Sequence, residues 1–330
     1  MGDVPTPHGP APATKAAAAS AAGPKAVDKE TTAGILFGFG AYGLWGLLPL
    51  YFFALLPAGS VEIVANRVVW SLLFCVLLIT VTRSWRALAS AFRDRAVFGA
   101  LALASALIAV NWLTYTYGVT TGQAVEASLG YFINPLVSVL LGVIVLKEKL
   151  RALQWAAVGI GFVAVAVLTV SYGKLPWIAL TLAFSFGLYG FVKNRVGRKV
   201  DAVTSLSVET MVLAPLAGVT MVFLGLSGSA TLTTLGPGHF WLLAASGVLT
   251  AVPLLFFGAS ARRLPLTTIG LLQYVAPLLQ FVVALLVFKE AMTPDRWIGF
   301  GVVWLALLVL TVDMLRTAGK NSAAKRLARQ

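Results

Sequence analysis

The sequence predicts an all-α integral membrane protein of ten transmembrane helices, arranged as an inverted repeat of five plus five. Three observations carry that expectation. First, 59% of the 330 residues are apolar and only 11% charged, whereas a soluble domain needs roughly a quarter of its residues charged to cover its surface. Second, the charges cluster between apolar segments of about 18 to 25 residues, each long enough at about 1.5 Å per residue to cross a hydrocarbon core of roughly 30 Å. Third, residues 129–170, beginning LGYFINPLVSVLLGVIVLKE, align without gaps to 271–312, beginning LLQYVAPLLQFVVALLVFKE, at an offset of 142.

Taken in order, residues 1–32 hold five Pro and nine Ala with almost no large apolar side chain. Such a stretch cannot bury enough surface to offset its ordering entropy, and it reads as a disordered cytoplasmic tail. It lacks the compact apolar stretch and cleavage site of a signal peptide. The ten spans follow at 33–56, 61–82, 96–118, 123–146, 152–172, 176–193, 202–226, 239–261, 265–288 and 295–316, and 317–330 form a basic cytoplasmic tail. Charged residues separate most of them: Arg83 to Arg95, Lys147 to Arg151, Lys174, Lys193 to Asp201, Arg262 with Arg263, and Lys289 to Arg296. With the amino terminus in the cytoplasm, 21 of the 25 Lys and Arg fall on the cytoplasmic side, the distribution that topology in the cytoplasmic (inner) membrane demands. Both termini are then cytoplasmic. The net charge of +13 reports this asymmetry, and the partner it implies is the lipid bilayer, with no nucleic acid.

Within the repeat Pro135 meets Pro277, Lys147 and Glu148 meet Lys289 and Glu290, Trp155 meets Trp297 and Gly159 meets Gly301; AYGLWG at 41–46 resembles SFGLYG at 185–190. Each copy, 33–172 and 176–316, holds five spans. Five is odd, so the second copy enters the membrane from the opposite face, the plan of many secondary transporters.

At EASLGYFINPLVSVLLGVIVLKE (126–148), with AYGLWGLLPLYF (41–52) and Glu62, Arg67, Trp70 and Ser71, the chain resembles the RarD-type members of the EamA group of the drug/metabolite transporter superfamily. The resemblance covers about 33–316. It implies a carrier that works by alternating access, with the first, third, fourth, sixth, eighth and ninth helices lining a central cavity. It also implies export of small metabolites or drugs, of which amino-acid-like or amphenicol-like compounds lead, with import of the same solutes as the alternative. A receptor or scaffold without transport is the competing reading from another class.

Polar side chains deep in lipid need partners or a watery cavity, so each is a candidate site residue. These are Asn111, Tyr115 and Tyr117 in the third span, Glu126, Tyr131 and Asn134 in the fourth, and Gln273, Tyr274 and Gln280 in the ninth. Tyr42, Trp45, Phe186 and Tyr189 offer aromatic walls. The set either binds a small solute or joins helices to one another. Pro135 and Pro277 each remove a helix hydrogen bond, freeing the carbonyls of Tyr131 and Gln273 or simply kinking the helices.

Counting rises along the helices puts Arg67 roughly 9 Å and Glu126 roughly 5 Å below the outer surface. Arg67 with Glu126 is therefore expected as an outer charge cluster, and Glu209 with Arg262 or Arg263 as an inner one, the two closing alternately. Glu126 is the candidate for exchanging protons as a coupling ion, and Asp313 is expected to pair with Arg316 at i, i+3 spacing. GFGAYG at 38–43 fits a dinucleotide fingerprint but follows no strand. Its glycines, with Gly34, Gly159 and Gly299, serve helix approach instead. The small-residue fifth and tenth spans suit packing within one chain and a homodimer alike. His8 and His239 lack ligating neighbours, Cys75 lies alone in an apolar run, and no paired aspartates, HExxH helix or nucleotide loop occurs. Neither metal, cofactor nor enzymatic activity is expected.

Overall fold

A computed structural model describes residues 29–147, 149–196, 199–261, 263–264 and 266–327. Among them every regular element is a helix: α1 (Lys29–Ala54), α2 (Ser60–Thr82), α3 (Trp85–Arg93), α4 (Arg95–Thr120), α5 (Ala124–Leu146), α6 (Ala152–Tyr172), α7 (Trp177–Val196), α8 (Ala202–Leu226), α9 (Thr231–Thr234), α10 (Pro237–Ala261), α11 (Leu266–Leu272), α12 (Val275–Leu286) and α13 (Pro294–Leu327). Nine spans among the described residues are long and apolar enough to cross a membrane, with Thr268–Leu286 bridging α11 and α12. The tenth expected span coincides with α7, which stands outside the nine and carries Lys193 and Arg195 in its last turn.

Burial in these helices differs from that of a soluble protein, because large apolar side chains also cover the outer face. On α2, Ile63, Arg67, Ser71, Cys75 and Ile79 form the buried i, i+4 stripe, while Leu73, Leu77 and Val81 lie exposed. The solvent for the outer face is lipid, so leucine and valine turn outward and polar groups find partners inside.

Helix contacts are preserved when α1–α6 are exchanged for α7–α13: α5 packs on α7 as α12 packs on α1, α4 on α7 as α10 on α1, and α2, α5 and α6 meet their own counterparts α8, α12 and α13. Two helix interfaces, α5–α7 and α2–α10, rest on glycine. A Cβ on Gly130 would lie 2.7 Å from the Ala179 carbonyl oxygen of α7, and one on Gly247 of α10 would lie 2.5 Å from the Trp70 carbonyl of α2. Gly34, Gly38, Gly40 and Gly299 also face close neighbours, whereas Gly43 and Gly159, expected to do the same, face open space.

Four further features add to or depart from those expectations. Residues 85–93, between the second and third spans, form the amphipathic helix α3, which buries Leu88 and Ala91. The last helix continues through the tail as far as Leu327. The ninth span is interrupted: the Tyr274 N–H reaches back only to the Leu271 carbonyl, at 3.3 Å, and α12 starts afresh at Val275. Pro277 cannot donate to the Gln273 carbonyl, which permits the break. Yet Pro135 lies inside an uninterrupted α5, so proline alone does not impose it. Finally, the repeated Lys147 and Lys289 share a left-handed backbone, with φ of 54° and 56°. They are repeated as the residues that stop α5 and follow α12, a conformation most L-residues avoid.

Candidate functional site: a buried arginine and an aromatic line

Arg67 projects from α2 into the bundle and is only 5% exposed. Its Nε donates to Thr250 Oγ1 of α10 at 2.7 Å, and its guanidinium lies 4.1 Å from the Trp112 ring centroid and 5.9 Å from that of Phe52. Among the described residues no carboxylate pairs with it. The expected Arg67–Glu126 cluster is thus absent. Glu126 instead accepts the Ile178 N–H at 3.0 Å, at the amino end of α7. Rise arithmetic fixes depth along a helix but not azimuth, and a first-turn carboxylate is drawn to the unpaired N–H groups and positive dipole end of a neighbouring helix.

Beside Arg67, the structure brings together three of the predicted residues. Tyr131 Oη donates to Asn111 Oδ1 at 2.8 Å, and Asn111 Nδ2 donates to the Leu182 carbonyl and Ser185 Oγ of α7. Tyr115 stands edge-on between Phe52 and Tyr131, at 5.9 and 5.5 Å, and its buried hydroxyl has no partner. From Tyr131 the ring contacts continue through Phe186 to Tyr189, whose hydroxyl donates to Glu209 at 3.1 Å. A line of aromatic side chains therefore joins the Arg67 region to Glu209.

Other candidates sit elsewhere. Tyr42 and Trp45 of α1 pack with Phe257 of α10, and Gln280 Nε2 donates to the Trp45 carbonyl at 3.1 Å while its Oε1 is buried without a partner. Asn134 likewise has a buried, unpartnered Oδ1. Gln273 and Tyr274 occupy the break between α11 and α12. Tyr117 turns outward to Trp177 and is 39% exposed, which removes it from the interior set.

Polar contacts close the bundle at both ends. At the end holding the α4–α5 and α12–α13 turns, Glu290 accepts the Ala124 and Val125 N–H groups of α5 at 2.7 and 2.9 Å, and Glu62 accepts the Leu232 N–H and the Thr231 hydroxyl of α9. Gly122, Gln123, Val125, Glu126, Lys174, Glu290 and Arg296 line a polar cavity of about 180 Å³ there. Burial pushes the Glu290 carboxyl up, against the amides and the Arg296 charge that favour its ionised form. At the opposite end Glu209 pairs with Lys193 at 2.5 Å, Arg263 with Glu30 at 2.9 Å, and Arg151 with Asp313 through Nε at 2.9 and 3.0 Å. This overturns Glu209–Arg263 and Asp313–Arg316, and Arg262 lies outside the described residues. By sequence Lys193 counts among the charges between spans, but its place in the last turn of α7, with α8 adjacent, lets it reach inward. Thr250 and Trp112 carry no signal beyond apolar context, and Phe52 none beyond its place in AYGLWGLLPLYF, because what makes them site residues is their approach to Arg67.

A lipid-facing bundle whose polar side chains converge inside it, closed at each end by contacts between helices, has the build of a helical membrane transporter. The EamA-like transporter family model matches residues 32–170 and again 175–312. The chain belongs to that family, as a RarD-type member. Protein RarD of Streptomyces exfoliatus is 50% identical over 296 residues, covering 90% of this chain and 93% of that one. Protein RarD of Escherichia coli K12 is 38% identical, covering 89% and 99%. The Chloramphenicol-sensitive protein RarD of Pseudomonas aeruginosa is 32% identical, covering 88% and 97%. A crystal structure with a TM-score of 0.58 and 17% identity covers 87% of this chain and 99% of its own, and shares the fold.

Proposed function

We propose that the protein is a secondary carrier that exports small organic metabolites or drugs across the cytoplasmic membrane by alternating access, from an inverted repeat with both termini in the cytoplasm. The observation that carries this reading is the interior group of Arg67, Asn111, Tyr115 and Tyr131, held between two closed ends. Carriers place their solute near the midplane between repeats, where irregular backbone is tolerated when it is buried in protein or lines a cavity. Export is the direction the family resemblance implies. The break at Gln273 and Tyr274 supplies a discontinuous helix, a common companion of such sites. Opening one end means releasing Glu290 and Glu126 from the amino ends of α5 and α7; opening the other means separating Lys193 from Glu209. Glu290 and Glu126 border one polar cavity, which makes them the groups through which protons are coupled to opening.

Purified protein in proteoliposomes tests this. Solute trapped inside should exchange with labelled external solute faster than in empty vesicles, across a panel of amino acids, amphenicols and small organic acids. Exchange should fall when Asn111→Ala and Tyr131→Phe remove the interior hydrogen bond. Binding of a panel member without exchange would instead establish a receptor.

A further inference from the structure

Resting on the carrier reading, we infer that Arg67 is the anion-recognition point of the binding site, and that the solute it accepts is a small organic monocarboxylate with a flat apolar body. The guanidinium has five N–H donors, and the protein uses one of them, Nε on Thr250. Both terminal nitrogens of this buried cation lack a hydrogen-bond partner among the described residues. Trp112 covers a face of the guanidinium, so a ligand would meet it along its edge. That edge is the fork that matches a carboxylate with two parallel hydrogen bonds. The buried, unpartnered hydroxyl of Tyr115, a residue only 3% exposed, is a further donor among the electrostatic neighbours of Arg67. Burying a charge without a counter-charge is costly in any protein and more so in a lipid-facing one. A site of charge +1 is neutralised by a ligand of charge −1.

The same surroundings disfavour a zwitterion. An ammonium group would need a carboxylate close to Arg67, and the three buried glutamates of the helices are engaged elsewhere: Glu62 on α9, Glu126 on α7 and Glu209 on Lys193. The rings of Phe52, Trp112, Tyr115 and Tyr131 provide the flat apolar wall.

The test is binding to detergent-purified protein, measured by thermal shift and calorimetry. The probes are benzoate, 3-phenylpropionate and indole-3-acetate, each beside its neutral amide, with L-phenylalanine as the zwitterionic counterpart of 3-phenylpropionate. At least one carboxylate should bind at least about tenfold more tightly than its amide, because an unanswered charged fork rejects the neutral analogue, and L-phenylalanine should bind more weakly than 3-phenylpropionate. Arg67→Gln should abolish the preference for the carboxylate, and Arg67→Lys should keep part of it. Should Arg67→Gln fail to fold, Tyr115→Phe decides: it must weaken the carboxylate and leave the amide unchanged. Equal binding of carboxylate and amide, binding by no carboxylate, or a preference untouched by these variants overturns the proposal. Counterflow separates it from the carrier reading. Exchange of a neutral or zwitterionic solute without carboxylate binding leaves the carrier and removes the anion site, whereas carboxylate binding that depends on Arg67, with no exchange, leaves the site and removes the carrier.

Discussion

Gly247→Ala is a one-carbon change that strikes the α2–α10 interface and the Arg67 site together. The added Cβ would stand 2.5 Å from both the carbonyl carbon and oxygen of Trp70 and 2.9 Å from its Cβ, where ordinary contact begins at 3.4 Å. Helix backbone cannot yield alone, so the two helices must separate by roughly 0.9 Å, the difference between 3.4 and 2.5 Å. Arg67 lies three residues before Trp70 and Thr250 three after Gly247, so the separation strains their 2.7 Å hydrogen bond. Overpacking costs about 1–3 kcal/mol and loss of a hydrogen bond to a charged group about 1.5–3, offset by about 1 from alanine's better helix propensity, for a net loss of about 1.5–5 kcal/mol. The single cysteine, Cys75, is buried, so a thiol-reactive dye in a detergent thermal melt reports unfolding directly. Gly218→Ala, in α8 with no atom within 4 Å of its added carbon, is the control and should gain up to about 1 kcal/mol. A Gly247→Ala protein that melts at or above the wild-type temperature would refute the close approach and its link to Arg67.

Lys193→Met should destabilise by about 3–5 kcal/mol, because Glu209 is left buried without its cation, and the exchange Lys193→Glu with Glu209→Lys should recover part of that loss in the same melt. Asp201 caps α8 through the Val203 and Thr204 N–H groups at 3.0 Å, so Asp201→Ala should cost about 1 kcal/mol. Burial raises the Asp201 carboxyl, but the Thr204 hydroxyl and these amides outweigh it and hold it below its ordinary value. Its stabilisation is therefore present above the unfolded pKa near about 3.9 and lost as pH falls through the lower folded value, a slope that Asp201→Asn should lack. Glu290 has the opposite sign. Its raised pKa makes its contribution full below the unfolded value near about 4.3 and lost as pH rises through the folded one, so the stability of wild type relative to Glu290→Gln should fall over that rise. Arg83→Gly should raise the melting temperature, since the exposed Arg83 ends α2 at φ 54°, a conformation that costs an L-residue about 1–2 kcal/mol.

Membership of the membrane class, the places of the long helices and the correspondence of the two halves were all legible in the chain. Length and hydropathy act locally, and lipid leaves the backbone almost no choice but helix. Residues such as Asn111, Tyr115 and Tyr131 could be picked out one by one, because a polar group at membrane depth is conspicuous wherever it points. Partners were not legible. Arg67 and Glu126 lie at similar depths yet face different neighbours, Glu209 meets Lys193 rather than Arg263, and Pro277 accompanies a broken helix where Pro135 does not. Each of these depends on helix rotation and on which helix lies alongside. Those are settled by close approaches such as Gly130 on Ala179 and Gly247 on Trp70, contacts between positions far apart in sequence whose geometry exists only once the bundle has packed.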